Sequence, residues 1–249
     1  MYEDKEWKEH EVHLESETKS KEQEEEEEEE EYVNHLFDQD DDEDEVLDFD
    51  LEQPVEIILR GHKEITNTTG LSLWRGAEVV SDFLLKNPSI IENKSVLELG
   101  AGPGLLGIVV SKYLSPSKAV LTDGDVGVLR NLRSNLERNS ISTEVTCPQL
   151  IWGQGIEEFR ERFGRFQVIM ATECVYMTTS VEPFWKTIYE LLEETPEAVA
   201  IFNHVAFSQS PLKDIFEVAE KFGFVRTEPS KDVYLFRRKA SFEGGSKDS

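Results

Sequence analysis

From residue 94 onward, short solid runs of apolar residues alternate with longer stretches in which apolar positions recur every three or four residues. The short runs, 94–99, 118–122, 145–151, 166–172 and 197–203, have the length and apolar content of strands. The longer stretches, 103–114, 126–138, 182–194 and 211–222, predict helices. Within 126–138, Val128, Leu129, Leu132 and Leu136 make one apolar face, while Arg130, Arg133, Glu137 and Arg138 fall on the solvent side. Upstream, 75–86 predicts a further helix, with Ala77, Val80, Phe83 and Leu84 at helical spacing and Pro88 stopping it. Residues 55–62 read as a strand turning at Gly61, residues 63–65 as its return, and 67–70 as a loop.

Strands in regular alternation with helices imply a parallel sheet with crossover helices. The end of the chain breaks that rhythm: 224–228 and 233–237 are two strand-like runs separated only by Pro229, Ser230, Lys231 and Asp232, which reads as a hairpin. The expected fold is therefore α/β, a Rossmann-like doubly wound sheet of seven strands, mostly parallel with a C-terminal antiparallel hairpin. Its expected span is 54–240, between an acidic disordered tail over 1–53 and a flexible C-terminus over 241–249.

Charge sharpens that division. Residues 1–50 hold 25 Asp and Glu against 4 Lys, so −21 of the chain's net charge of −26 lies there and only −5 belongs to 51–249. The run 24–31 is eight successive glutamates, and 40–45 is a second acidic run. At that density like charges repel, and too few apolar groups are present to offset chain entropy. Such a segment serves as a solubilising tail or as a docking arm for a basic partner, with Phe37, Leu47, Phe49 and Leu51 as apolar anchors. No uninterrupted apolar stretch is long enough to span a bilayer, the start lacks the apolar region of a signal peptide, and two cysteines make neither a disulfide framework nor a metal cluster. The expectation is a monomer in the cytoplasm, with the nucleus as a second compartment, and no membrane or nucleic-acid partner.

The chemistry centres on residues 96–107, where an apolar strand runs into Gly100-Ala101-Gly102-Pro103-Gly104 and then into a helix. Glycines permit positive φ and close approach of a ligand, and the helix start presents free N–H groups. Residues 102–107 also fit the dinucleotide pattern G-x-G-x-x-G, so the glycines leave nicotinamide dinucleotides and S-adenosylmethionine both open. Glu98 favours the second. At the strand end, facing a pocket mouth, its carboxylate would repel a pyrophosphate and attract the amino group of a methionine moiety. Asp123, following the run 118–122, can accept both hydroxyls of a ribose, whereas Asp125 is a competitor that can simply open the next helix. Trp152 and Trp74 each read either as an indole lying against adenine or as a core residue. Thr172, Glu173, Cys174, Val175 and Tyr176 leave the fourth strand with an acid and a tyrosine three residues apart, a pair that can hold an incoming amine or else serve as a helix cap and a packed ring.

The ordered set of Thr69-Gly70-Leu71-Ser72-Leu73-Trp74, Val96 to Gly104, Leu121-Thr122-Asp123 with Leu129, Asn135 and Asn139, Leu150 to Gly153, and Glu173-Cys174-Val175-Tyr176 resembles methyltransferase family 16, over roughly residues 55–238. These are seven-β-strand class I methyltransferases, mainly protein lysine methyltransferases. The resemblance implies S-adenosylmethionine as cofactor, contacted by Trp74, Gly100, Gly102, Asp123, Trp152 and Thr172, with Glu98 and Ala101 completing the expected cofactor set. It further implies that Glu173 and Tyr176 act catalytically by placing the substrate. Two departures bear on the acceptor: Glu173 stands where the family's motif has Asp, and Asn203-His204 follows the fifth strand where a basic or aromatic group is usual. The expected function is a protein-lysine N-methyltransferase acting on a cytosolic protein. Competing readings are methylation of protein histidine, of an amino terminus or of RNA, a nicotinamide dehydrogenase, and a non-catalytic acidic chaperone module.

Overall fold

The computed structural model describes the backbone of residues 45–47 and then residues 55–61, 69–204 and 210–239. Most of the expected tail, the return strand over 63–65 and the expected C-terminal extension lie outside these residues. Strand β1 (Glu45–Leu47) pairs antiparallel with β2 (Ile57–Leu59), inside a stretch whose averaged composition reads as tail.

The main sheet is built from β3 (Ser95–Leu99), β4 (Lys118–Thr122), β5 (Val145–Thr146), β6 (Val168–Thr172), β7 (Val199–Asn203), β8 (Phe224–Ser230) and β9 (Val233–Arg238). Their order is β5-β4-β3-β6-β7-β9-β8, parallel except for β9, which is antiparallel to both β7 and β8. The chain leaves β3 toward β4 and β5 and returns to β6 on the other side of β3. That reversal opens a crevice at the carboxyl ends of β3 and β6, where ligands bind in sheets of this kind.

Helices α1 (Arg75–Lys86), α2 (Leu105–Tyr113), α3 (Val126–Arg138), α4 (Ile156–Phe163), α5 (Val181–Leu191) and α6 (Leu212–Lys221) cover both faces. Strand alternation assigns them. Leu97, Leu99, Ile169, Ala171, Ala200 and Phe202 pack with α4, α5 and α6, where Phe184 and Trp185 are wholly buried. The intervening Val96, Val168, Met170, Val199 and Ile201 pack with α1 and α2, and Ala119 and Leu121 pack with α3. Burial on both faces is why β3, β6 and β7 read as unbroken apolar runs.

Three expectations change. The strand over 145–151 shrinks to two residues because Pro148, with no N–H to donate, interrupts the ladder, which resumes only as a bridge between Asp123 and Gln149. Helix α4 adds an element that the pattern does not predict, since it shows only Ile156, Phe159 and Phe163 among five charged neighbours. The hairpin turn is Lys231 and Asp232 alone, with Asp232 at φ +61°, and Pro229 sits within β8 at a register shift between Thr227 and Ser230. Strand β8 is the sheet's edge, the place where a missing ladder donor is tolerated.

Candidate functional site

The bend after β3 is held at several points. Gly100, Gly102 and Gly104 all lie at positive φ, as glycine's freedom allows. The Ala101 N–H donates to Thr122 O at 2.9 Å, and the Thr122 hydroxyl donates to Glu98 O at 2.7 Å, so the ends of β3 and β4 are tied together. The Gly102 N–H donates to Asp123 Oδ2 at 3.2 Å, while Asp123 Oδ1 accepts the Asp125 N–H at 3.1 Å. Burial raises the Asp123 carboxyl pKa, and these N–H donors pull it back. Asp125 caps α3, its Oδ1 accepting the Val128 N–H at 3.1 Å, so of the two candidates it is the helix opener.

A methyl on Gly100 would come within 2.7 Å of Cys174 Cβ and 3.5 Å of Trp152 Cζ2. The bend, the indole of Trp152 and the chain leaving β6 therefore meet at one point. Trp152 is half-buried and packs edge-on against Phe184, with centroids 5.1 Å apart, so it is both a wall of the crevice and part of the core. A methyl on Gly102 would come within 3.2 Å of Gly70 O, which places the 3-10 turn Thr69–Leu71 over the bend. Gly100, Ala101, Gly102, Asp123, Trp152 and Thr172 thus gather at the expected sheet edge. Trp74 is half-buried at the N-cap of α1 and its carbonyl accepts the Ala77 N–H.

Glu98 is not at a pocket mouth. It is 2% exposed, on the face of β3 that carries α2, and the nearby Gly107 N–H pulls its pKa down. Gly107 lacks the Cβ that would collide with Glu98 Oε2, and that oxygen has no hydrogen-bond partner. Burial, with a further contribution from the negative Asp123, pushes the carboxyl up to about 8. An orphaned carboxyl oxygen two residues before the bend suits a cationic donor, such as the amino group of a methionine moiety, whose charge would restore the ionised form.

Glu173 takes φ +50° as the chain leaves β6, its N–H donating to Asn203 O at 3.1 Å. The turn sends its side chain to the start of α1, where Glu173 Oε2 accepts the Gly76 N–H at 2.6 Å. This is the helix-cap geometry weighed as an alternative for the acid, except that the residue is half-buried rather than solvated. Burial raises its pKa, opposed by the Gly76 N–H. Tyr176 is 46% exposed, so the alternative of a packed ring does not hold for it, whereas the Glu173 carboxylate is turned to the start of α1. His204 stacks on Phe202, and burial lowers its pKa.

Gly76 is not among the expected site residues, and Asn203 figures among them only as a departure that bears on the acceptor. A methyl at Gly76 would overlap Asn203 Oδ1 and come within 2.8 Å of Glu173 Cδ, so α1 starts with glycine to let the acid in. Nothing in an isolated R-G-A triplet signals that packing.

Fit to S-adenosylmethionine is supported by the bare bend, the half-buried Asp123 beside it, the Trp152 wall and the unpartnered oxygen of Glu98. The sequence model of a family described as lysine methyltransferase matches residues 54–215. The protein-lysine N-methyltransferase EFM3 of Chaetomium thermophilum is 30% identical over 196 residues, covering 76% of this chain and 58% of that protein. A calmodulin-lysine N-methyltransferase of Arabidopsis thaliana is 30% identical over 141 residues, 55% of this chain and 46% of its own. The chain thus spans about half the length of these relatives. A TehB-like S-adenosylmethionine-dependent methyltransferase structure from Corynebacterium glutamicum has a TM-score of 0.51 at 17% identity, covering 64% of this chain and 88% of that one, a likeness of fold.

Proposed function

This chain belongs to the lysine methyltransferase family, and from that premise we propose that it transfers methyl groups from S-adenosylmethionine to lysine in a protein substrate. The observation that carries the reading is Glu173: one oxygen is fixed by the Gly76 N–H at 2.6 Å, and the residue leaves β6 next to Cys174, which touches the bend. The cofactor supplies a methyl on a sulfonium, already activated for in-line displacement, so this chain's work is chiefly positioning.

Lysine arrives as an ammonium with a reference pKa near ~10.4 and must lose a proton to become nucleophilic. In this reading the second oxygen of Glu173 and the hydroxyl of Tyr176 accept the hydrogens of the neutral amine and aim its lone pair. The half-buried surroundings of Glu173 disfavour a charged amine, and its proton passes to solvent before transfer. Tyr176, exposed at the rim, closes on the amine when the substrate docks. The acidic stretch over 1–50 favours a substrate with a basic surface, and the expected setting is the cytoplasm.

The test is incubation of the protein with labelled methyl donor and a lysate from cells that lack it, followed by identification of the labelled residue. The expected result is label on a lysine ε-nitrogen. Label on histidine, an amino terminus or RNA, or none at all, refutes the assignment of acceptor.

A further inference from the structure

Helix α3 carries Asn131, Asn135 and, at its C-cap, Asn139, all buried and four residues apart. Their amides face the backbone edge of the strand β2 segment. Asn139 Oδ1 accepts the Ile58 N–H at 3.2 Å, and its Nδ2 donates to Ile58 O at 2.8 Å. Asn135 Oδ1 accepts the Arg60 N–H at 2.8 Å, and its Nδ2 donates to Arg60 O at 2.9 Å, an oxygen that Asn131 Nδ2 also reaches at 3.0 Å. A primary amide offers the donor and acceptor of a peptide group. Four helical residues rise roughly 6 Å and two strand residues roughly 6.6 Å, so asparagines at i and i+4 match same-edge peptides of a strand. The helix thereby stands in for a missing neighbouring strand.

Asn135 makes one bond that the others do not: Nδ2 donates to Pro103 O at 2.8 Å. Pro103 lies between Gly102 and Gly104, so that amide holds the glycine bend at a second point, next to the Gly102 N–H that Asp123 takes. Gly61, next to Arg60, closes the same junction: a methyl there would come within 3.4 Å of Pro103 Cγ and 3.1 Å of Leu71 O.

We propose that Asn135 is a positioning residue for the cofactor, the tether through which the β2 segment fixes the conformation of the 100–104 bend. This rests on the reading of that bend as the S-adenosylmethionine site. Asn139 supplies a matched control within the same ladder, since it too makes three hydrogen bonds, to Ile58 N, Ile58 O and Asn135 O, and none to the bend.

The experiment compares the full chain with Asn135→Ala and Asn139→Ala, reading thermal midpoint, S-adenosylhomocysteine affinity by calorimetry, and amide exchange over 100–107 without ligand. Both variants should lose comparable stability. Asn135→Ala should weaken S-adenosylhomocysteine binding about tenfold or more and speed exchange in the bend, while Asn139→Ala stays within about twofold. Equal affinity losses in the two variants, or wild-type affinity in Asn135→Ala, overturn the proposal. Should Asn135→Ala not fold, Asn135→Asp keeps the acceptor for Arg60 N–H and removes both donations. Exchange in its bend no faster than in Asn139→Ala then overturns the tether. A wild type that binds no S-adenosylhomocysteine refutes the cofactor reading instead, and the ligand-free exchange comparison still decides the tether.

Discussion

Replacing Glu98 by Gln should make the ligand-free protein more stable, and more so as pH rises. Glu98 is 2% exposed, and its carboxyl is pushed from its ordinary 4.5 up to about 8. An acid whose folded-state pKa is raised binds its proton more tightly folded than unfolded. Its electrostatic cost is therefore absent below about pH 4.5, grows through the window up to about pH 8, and levels off above it. Within that window each pH unit is worth ~1.4 kcal/mol, so the burden at pH 7 is about 3 kcal/mol. Gln keeps the shape and an acceptor for the Gly107 N–H, but its amide group occupies the unpartnered position of Oε2 and takes back ~1 kcal/mol or more. The net gain at pH 7 is about 2 kcal/mol. Urea unfolding of both proteins at pH 5, 6, 7 and 8 isolates the effect, because other titrating groups cancel in the difference. The advantage of Glu98→Gln should widen by about 3 kcal/mol between pH 5 and pH 8. A difference that stays flat with pH refutes the argument that burial holds this carboxyl protonated. The same variant should bind S-adenosylhomocysteine more weakly, because the amide cannot supply the negative charge that an ammonium needs.

Two further substitutions test the site. Glu173→Ala should abolish most turnover, leave cofactor affinity within a few-fold, and cost about 1 kcal/mol through the lost contact with Gly76 N–H; Glu173→Gln, which keeps that acceptor, should restore the stability but not the turnover. Chemical denaturation and initial rates separate the two effects, and full turnover in either variant removes Glu173 from the mechanism. Gly100→Ala places a methyl 2.7 Å from Cys174 Cβ on a residue at φ +66°, and should lower stability by about 1–3 kcal/mol while weakening S-adenosylhomocysteine binding at least about tenfold. Calorimetry showing unchanged affinity would mean that the bend does not wrap the ligand.

The order of strands and helices was readable because β3, β6 and β7 are apolar throughout and α3 keeps a clean face of Val128, Leu129 and Leu132. The bend was readable because glycines at positive φ leave a compositional mark, and Asp123 because it directly follows the strand Lys118–Thr122. Short elements were not: β5 is two residues long, and α4 has three apolar positions, too few for a period to stand out. The asparagine ladder was visible as letters in 131–139 but not as a function, since its partner lies in the β2 segment, more than seventy residues away.

Sequence alone determined the longer strands and helices and which chemical groups arrive at strand ends, because both follow from local period and from residue type. Where each group points was decided only by the tertiary structure. Glu98 and Glu173 are the clearest cases: both are acids at strand ends, yet one is buried beneath α2 and the other is turned to the start of α1. A carboxylate goes where the packed chain leaves an unpaired N–H within reach, and those N–H groups, on Gly107 and Gly76, exist only once helices have docked against the sheet.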